Sequence, residues 1–371
     1  MKILYLCTFY HRAMIFRDSM NYLEKLGHAI NVFNAVAFGA KIDEKYRSIM
    51  DDRVIHKACF RQRDRYLFFR KQQKIEATLT EAYKVAEYDG IHAHTLFNGG
   101  WAARQIKKKT GVPYVVSVRN TDLNVFLAIP LFRKIAIKIV NDAAAVQFLS
   151  AAYKDAFIKK CFANNPEQVR KKSFVIPNGL EPFWLENIPA PRKLSNPKVL
   201  KLLCVGKIDA NKNAKSILKA MEILEKRGIS AKLTIIGQVV DAKVQKELSE
   251  YKNAEILPYM TKEQLIDYYR NSDIYVMPSI RESFGRVYAE AMTQGLPVVF
   301  TRGQGFDGIF ADGEVGYAVK PLDCAGIADA IEKISDRYEE ISRNCVEKCN
   351  LFDWTTIAKR LEEMYQLAFG K

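Results

Sequence analysis

The chain has 371 residues, 49% of them hydrophobic, which is enough apolar side chain for two cores of ordinary size and too many residues for one. No stretch approaches the roughly 18 uncharged apolar residues that a membrane span needs, so a helical integral membrane protein is excluded. The net charge of +15 lies upstream, where residues 1–200 hold 33 Lys and Arg against 17 Asp and Glu while the remainder hold 24 against 25; such a one-sided field suits nucleic acid, anionic lipid or a phosphorylated acceptor, or a basic surface with no partner.

The start, Met1 to Cys7, resembles the head of a signal peptide, but Tyr10-His11-Arg12 cuts the apolar run short and it reads as a first strand. A helical pattern follows to Leu26, then strands at Ala29–Phe33 and Ile91–His94, a helix over Trp101–Lys109 and strands at Tyr114–Val118, Ala143–Leu149 and Phe174–Ile176. Pro177-Asn178-Gly179 marks a turn, and "ENIPAPRKLSNPK" at 186–198, with three prolines, reads as a linker. Beyond it, strands at Leu202–Val205, Lys232–Ile236, Ala254–Leu257, Asp273–Met277 and Leu296–Phe300 alternate with helices. Alternation of this kind predicts an α/β chain of two doubly wound parallel sheets: a domain over 1–185, the linker 186–198 and a domain over 199–353. The last segment, 354–371, has helical spacing at Ile357, Leu361, Met364 and Leu367 and can pack on either domain.

Seven cysteines without a C-x-x-C pair suit a reducing compartment, which makes the cytoplasm the expected location. Cys345 and Cys349 could share a helical face, but two ligands alone rarely hold a metal.

Open α/β sheets place ligands at the carboxyl ends of their strands, so two of them predict a cleft where the crevices meet. "RESFGRVYAEAMTQGLPVV" at 281–299 sits at such a place, with a helix starting near Gly285 whose free N–H groups suit a phosphate or a sugar oxygen. Glu282 and Glu290 flank that helix start. Carboxylates accept hydrogen bonds from hydroxyls and bind phosphate poorly, so the pair points to two sugars, one at each end of a diphosphate; otherwise both are solvated surface charges. In "VGKIDANKN" at 205–213, Gly206 permits close backbone approach, and Lys207 and Lys212 can neutralise a diphosphate as it leaves. Neither a P-loop nor a GxGxxG after the first strand is present, which argues against NTPase and NAD sites.

Gly206-Lys207 with Lys212, Asp273 to Ser279, Glu282-Ser-Phe-Gly285, Glu290-Ala-Met292, Gly295-Leu-Pro-Val-Val299 and Gly316-Tyr-Ala-Val319 resemble, in order and spacing, the donor domain of family 4 retaining glycosyltransferases of the GT-B fold. His28, His92-Ala-His94, Val175-Ile-Pro-Asn-Gly179 and the Trp354 helix resemble further landmarks of that family. The resemblance implies two Rossmann-like domains facing a cleft, with the C-terminal helix able to cross back to the first. It implies a nucleotide diphosphate sugar as donor, UDP- or GDP-linked, and a glycan, lipid-linked or cell-envelope acceptor. No cofactor or metal is implied, and the chain lacks the Asp-x-Asp by which the other major glycosyltransferase fold binds a divalent ion.

By the same resemblance Glu282 holds the donor sugar and Glu290 the ribose, while Lys207 and Lys212 hold the diphosphate. Gly206, Ser283, Phe284, Gly285 and Arg286 complete the donor contacts, and Tyr10, His11, Arg12, His94 and Asp122 face the acceptor. Three positions depart from the family pattern: Lys207 replaces a common arginine, Thr8 to Arg12 replace a Gly-Gly loop, and Arg119 stands where many members have a histidine. Arg119 either binds an anionic group of donor or acceptor, with a role in catalysis, or forms a structural ion pair with Asp122. "RQRDRYLFFRKQQK" at 61–74 and "PLFRKIAIKIV" at 130–140 interleave basic with apolar residues, as segments peripheral on the inner face of a membrane do, or as amphipathic helices facing their own core do. The competing readings are a sugar-nucleotide epimerase or hydrolase on this fold, and a nucleic-acid-binding protein, for which no recognised motif is found.

Overall fold

In the first strand, β1 (Lys2–Leu6), every residue from Ile3 to Leu6 is buried, with Ile3 and Tyr5 entering one apolar cluster and Leu4 and Leu6 another. Side chains alternate across a strand, so a strand apolar at both parities must be covered on both faces. In the computed structural model, which describes residues 1–42, 44, 47 and 50–370, β1 is an interior strand of a parallel seven-stranded sheet. Its other strands are β2 (Ala29–Ala37), β3 (Val54–Phe60), β4 (Gly90–Ala93), β5 (Tyr114–Val118), β6 (Ala145–Phe148) and β7 (Ser173–Val175), in the order β3-β2-β1-β4-β5-β6-β7. Edge strand β3 was not among the expected elements, because its sequence, VIHKACF, mixes His56 and Lys57 into an apolar run; the helix Phe68–Ala82 after it takes up the later part of the basic segment 61–74.

The chain divides into two units, Met1–Gly179 together with Trp354–Lys371, and Leu180–Asp353. Lys371, the last residue of the expected terminal segment, lies outside the described residues. The first unit ends before residue 185 because the chain is already tied into the second: Leu180 N–H bonds the Phe352 carbonyl at 2.9 Å, and Trp184 packs edge-on against Tyr269. Residues 188–198 form no helix or strand, yet they are not a free tether. The Arg192 amide donates to Ser342 Oγ at 2.9 Å and its guanidinium to the Ser272 carbonyl at 2.6 Å.

The helix Trp354–Phe369 belongs to the first unit and buries Trp354, Ile357, Ala358, Leu361, Met364, Tyr365 and Phe369. Leu367, expected on that stripe, is 77% exposed, since at 100° per residue it turns away from the line through Leu361, Tyr365 and Phe369. Two glycines make room for the ends of this helix. A Cβ on Gly179 would lie 2.4 Å from the Trp354 ring, and one on Gly90 2.4 Å from the Phe369 ring.

The second unit repeats the architecture with β8 (Val199–Val205), β9 (Ser230–Ile236), β10 (Ala254–Leu257), β11 (Ile274–Val276), β12 (Val298–Thr301) and β13 (Gly316–Val319), ordered β10-β9-β8-β11-β12-β13 and parallel. The winding direction reverses between β8 and β11. Ligands bind open sheets at that switch point, beyond the carboxyl ends of the strands.

Candidate functional site

After β8 the chain turns at Gly206, and the stem of Lys212 lies across it: a Cβ on Gly206 would come within 3.1 Å of Lys212 Cε. Gly237, beyond β9, is closer still, since its Cβ would sit 1.8 Å from the Gly206 carbonyl oxygen. The turn is laced to the loop after β11 by asparagines. Asn211 Nδ2 donates to the Arg281 carbonyl at 3.0 Å, while its Oδ1 accepts the Arg281 amide at 3.1 Å and its carbonyl the Ile280 amide at 2.8 Å. Asn213, left-handed at φ 57°, donates to the Pro278 carbonyl at 3.0 Å and also to that of Pro321. Asparagine adopts this conformation more readily than most residues.

The lacing brings Lys212 Nζ to 2.6 Å from Glu282 Oε2, a contact 70 residues apart in sequence. Glu282 is 8% exposed; its Oε1 accepts the Ser283 amide at 3.0 Å, and its own amide donates to Gln304 Oε1 at 3.1 Å. Gly305 seals this corner, where a Cβ would stand 1.8 Å from the Ser283 carbonyl oxygen. Lys207 is exposed on the same turn as Lys212.

Gly285 has φ 74°, and a Cβ there would lie 2.4 Å from the Tyr288 ring, so glycine is required where the helix Arg286–Thr293 begins. The Phe284 side chain is buried against Phe306 and Phe352. Among the described residues, the amides of Phe284, Gly285 and Arg286 meet no acceptor. Free amides at a helix start, with a lysine ammonium beside them, form a place for negatively charged oxygen. Arg286 and Glu290 follow one turn apart. Tyr269 Oη donates to Glu290 Oε2 at 3.3 Å, and burial holds the Glu290 carboxyl above its ordinary range, with Arg286 opposing and Glu181 adding to the rise.

The structure thus joins Gly206, Lys212, Glu282, Ser283 and Gly285 at one corner, with Glu290 further along the helix on a separate partner. Sequence reasoning missed Asn211, Asn213, Gln304 and Tyr269. The two asparagines had a signal, since Asn clustered at a strand-to-helix turn marks backbone bonding; Gln304 and Tyr269 had none.

In the first unit the expected acceptor residues are mostly committed to internal contacts. Tyr10 is fully buried with its hydroxyl on Met20 Sδ at 3.3 Å, and His11, 3% exposed, shares Asn34 with His56. Of that trio only Arg12 is exposed. Asp122 makes no side-chain ion pair with Arg119; its carboxylate accepts the backbone amides of Arg119 at 2.9 Å and of Leu96 and Phe97 at 3.2 Å, which ties the loop after β4 to the loop after β5. Both oxygens are occupied and the residue is 0% exposed, so an acceptor contact by Asp122 is corrected to a backbone clamp. Burial pushes its carboxyl up to about 6 against the pull of those amides and of Arg119.

His94 is 4% exposed, stacked on His92 at 4.0 Å, and neither ring nitrogen has a partner among the described residues. Burial holds it neutral, well below the usual histidine range. His92 is wired into the interior, with Nδ1 2.6 Å from Tyr365 Oη and Nε2 2.8 Å from Ser117 Oγ. Arg119 Nε donates to the His94 carbonyl at 3.3 Å and a terminal nitrogen to Asn178 Oδ1 at 3.2 Å. With Phe16, Ser19 and Trp354 these residues line a small cavity. Burial lowers Arg119 to about 10, which leaves it cationic near neutrality.

Among the described residues no three His, Cys, Asp or Glu side chains gather to hold a metal. Cys345 and Cys349 bond the carbonyls of Val315 and Val346 rather than facing a common ligand.

Residues 189–349 match the family of glycosyl transferases group 1, and residues 15–182 match glycosyltransferase family 4. Each of the two glycosyltransferase models covers less than half of the chain. Its relatives include the D-inositol 3-phosphate glycosyltransferase of Paenarthrobacter aurescens, 31% identical over 46% of this chain and 45% of that one. The capsular polysaccharide biosynthesis glycosyltransferase CapM of Staphylococcus aureus is 29% identical over 65% of each chain. These matches span less than two thirds of either relative. Anabaena HepE, solved in complex with UDP and glucose, matches in fold at TM-score 0.67 over 99% of both chains and 17% identity. The chain therefore has the GT-B fold, and its lysine–glutamate corner lies within the group 1 match.

Proposed function

We propose that the chain is a glycosyltransferase that moves a sugar from a nucleoside diphosphate sugar, UDP- or GDP-linked, to a hydroxyl of a glycan, lipid-linked or cell-envelope acceptor, with retention of configuration and without a metal. The observation that carries this reading is the 2.6 Å contact of Lys212 with Glu282 beside the unbonded amides of Phe284 to Arg286. An ammonium has three donors, so Lys212 can stay on Glu282 and still meet a phosphate oxygen. Lys207 and the helix start share the remaining charge, Glu282 accepts from sugar hydroxyls, and Glu290 with Tyr269 accepts the ribose. UDP and glucose in the HepE complex support a nucleotide-sugar donor on this fold.

Catalysis in this scheme is stabilisation of the departing diphosphate. The acceptor oxygen bonds to the anomeric carbon on the face the diphosphate leaves, the carbon–phosphate oxygen bond breaks, and the acceptor proton passes to the leaving phosphate oxygen. Pre-placed cations and amides are the main catalytic contribution, since little else in the step needs a protein group. In the first unit we assign Arg119 to an anionic group of the acceptor, with Arg12 as a second cation; Tyr10 and His11 shape the surroundings rather than touch it. The acceptor class fits an enzyme working at the inner face of the membrane from the cytoplasm; among the described residues no helix is long and apolar enough to cross a membrane.

The test is a binding screen of UDP-, GDP- and ADP-sugars in chelator, on the wild type and Glu290→Ala. Selective binding of one donor that weakens in the variant is expected; equal binding by both proteins would contradict the role of Glu290. Donor consumption without a glycosylated product would replace transfer by epimerisation or hydrolysis.

A further inference from the structure

The two basic segments behave differently along their lengths. Ile75 and Leu79, just past the end of one, and Ile135, Ile139 and Val140 of the other, are buried in the first unit's core, so each runs into an ordinary amphipathic helix. The earlier part of each is not such a helix. Tyr66 is 92% exposed, and Leu67, Phe69, Val125, Ile129 and Leu131 are each close to half exposed. These residues form one patch, because half-buried rings beneath them join the segments: Phe68 meets Phe132 at 5.2 Å. Contiguous exposed apolar surface of this kind marks an interaction site.

Charge says what covers it. Residues 61–74 and 125–138 contain nine Lys and Arg and a single acid, Asp64. That acid is buried beneath the patch, bonded by Lys74 at 2.6 Å and by the Arg61 amide at 2.8 Å, and holds the turn in shape. Arg61, Arg63, Arg65 and Arg70 are left exposed around Tyr66, Leu67 and Phe69, and Lys134 and Lys138 continue beside Leu131. Tyrosine and arginine around aliphatic side chains suit a headgroup layer, where each cation adds about fivefold to partition onto an anionic bilayer.

We propose that the surface formed by residues 66–69 and 125–131 of the first unit docks on an anionic lipid bilayer, the apolar side chains entering the headgroup region and the flanking arginines and lysines meeting lipid phosphates. The inference rests on the lipid-linked or envelope acceptor only for its use, not for its existence.

The experiment is flotation of the full chain with vesicles of phosphatidylcholine alone or mixed with phosphatidylglycerol, near physiological salt. Wild type is expected on the anionic vesicles at least about tenfold over the neutral ones. Leu67→Glu with Leu131→Glu, and separately Arg63→Gln with Arg65→Gln, are each expected to lower that partition by about tenfold; all four positions are exposed, and the glutamine pair guards against a folding failure of the first. Equal recovery with both vesicle types, or anionic binding untouched by the leucine pair, would overturn the proposal. Preferential capture by duplex DNA, lost in the arginine pair, would overturn it in favour of nucleic acid. Binding of the nucleoside diphosphate by the same variants reports the donor site separately, so the two readings fail independently.

Discussion

The two units share one architecture and use their polar residues in opposite ways. In the second, charged groups converge at the carboxyl ends of β8 and β11, where Lys212 meets Glu282 next to unbonded amides. In the first, the equivalent region is wired to itself: His92 bonds Tyr365 and Ser117, Asp122 clamps three backbone amides, and Arg119 remains cationic over a small cavity. All five histidines lie in the first unit and none in the second. The same sheet can therefore present its strand ends as a charge-bearing site or as a buried polar frame, depending on whether the loops pair with each other or with the interior.

The sharpest way to break this contrast is at Trp354, which closes the first unit over Gly179. Trp354→Ala should cost about 3–5 kcal/mol of stability, seen as faster hydrogen exchange across the first unit with the second little changed. A uniform change in both units would show that they do not unfold separately. Next is Lys212→Ala, expected to lower the transfer rate about 10²–10³-fold, as the loss of one pre-placed charge at a leaving group does, together with some loss of thermal stability from removing the ammonium partner of the nearly buried Glu282. Glu290→Gln should raise the donor KM by about tenfold with a smaller effect on kcat, from the weakened bond to a hydroxyl; an unchanged KM would remove Glu290 from the site.

The most gradual effect concerns pH. Burial lowers His92 to about 3 and His94 well below its ordinary value, so the unfolded chain takes up protons near pH 6.5 that the folded unit refuses. Their stability contribution is present above pH 6.5 and is lost as pH falls, by up to about 1.4 kcal/mol per pH unit for each group. Asp122, raised to about 6, works the other way between that value and its ordinary 3.8 and offsets part of the loss. In the second unit Glu290 and Asp273 are both raised by burial, so the folded unit binds protons first and gains stability as pH falls. Hydrogen exchange from neutral to mildly acidic pH, corrected for intrinsic rates, should show the first unit weakening relative to the second.

Much of the architecture was legible because buried parallel strands are apolar at both parities. Tyr114–Val118 and Ala254–Leu257 have the bounds the pattern implies. Strand β3 was not, since as an edge strand it tolerates His56 and Lys57 and its pattern blurs. In the candidate site, glycines were the most readable feature: Gly206 and Gly285 stand where a Cβ would strike a neighbour. The partners of Glu282 and Glu290 were less so, because Lys212, Gln304 and Tyr269 reach them by loop pairing across the sheet that no local pattern encodes. The same limit explains Tyr10, His11 and Asp122, whose types suit an acceptor site but whose burial follows from packing alone.

The most direct test of the account is calorimetric binding, in chelator, of the nucleoside diphosphate picked out by the donor screen to wild type, Lys212→Ala and Arg119→Ala. The account predicts binding weakened at least about tenfold by Lys212→Ala and unchanged by Arg119→Ala. Wild-type affinity in Lys212→Ala, or a loss confined to Arg119→Ala, would contradict it.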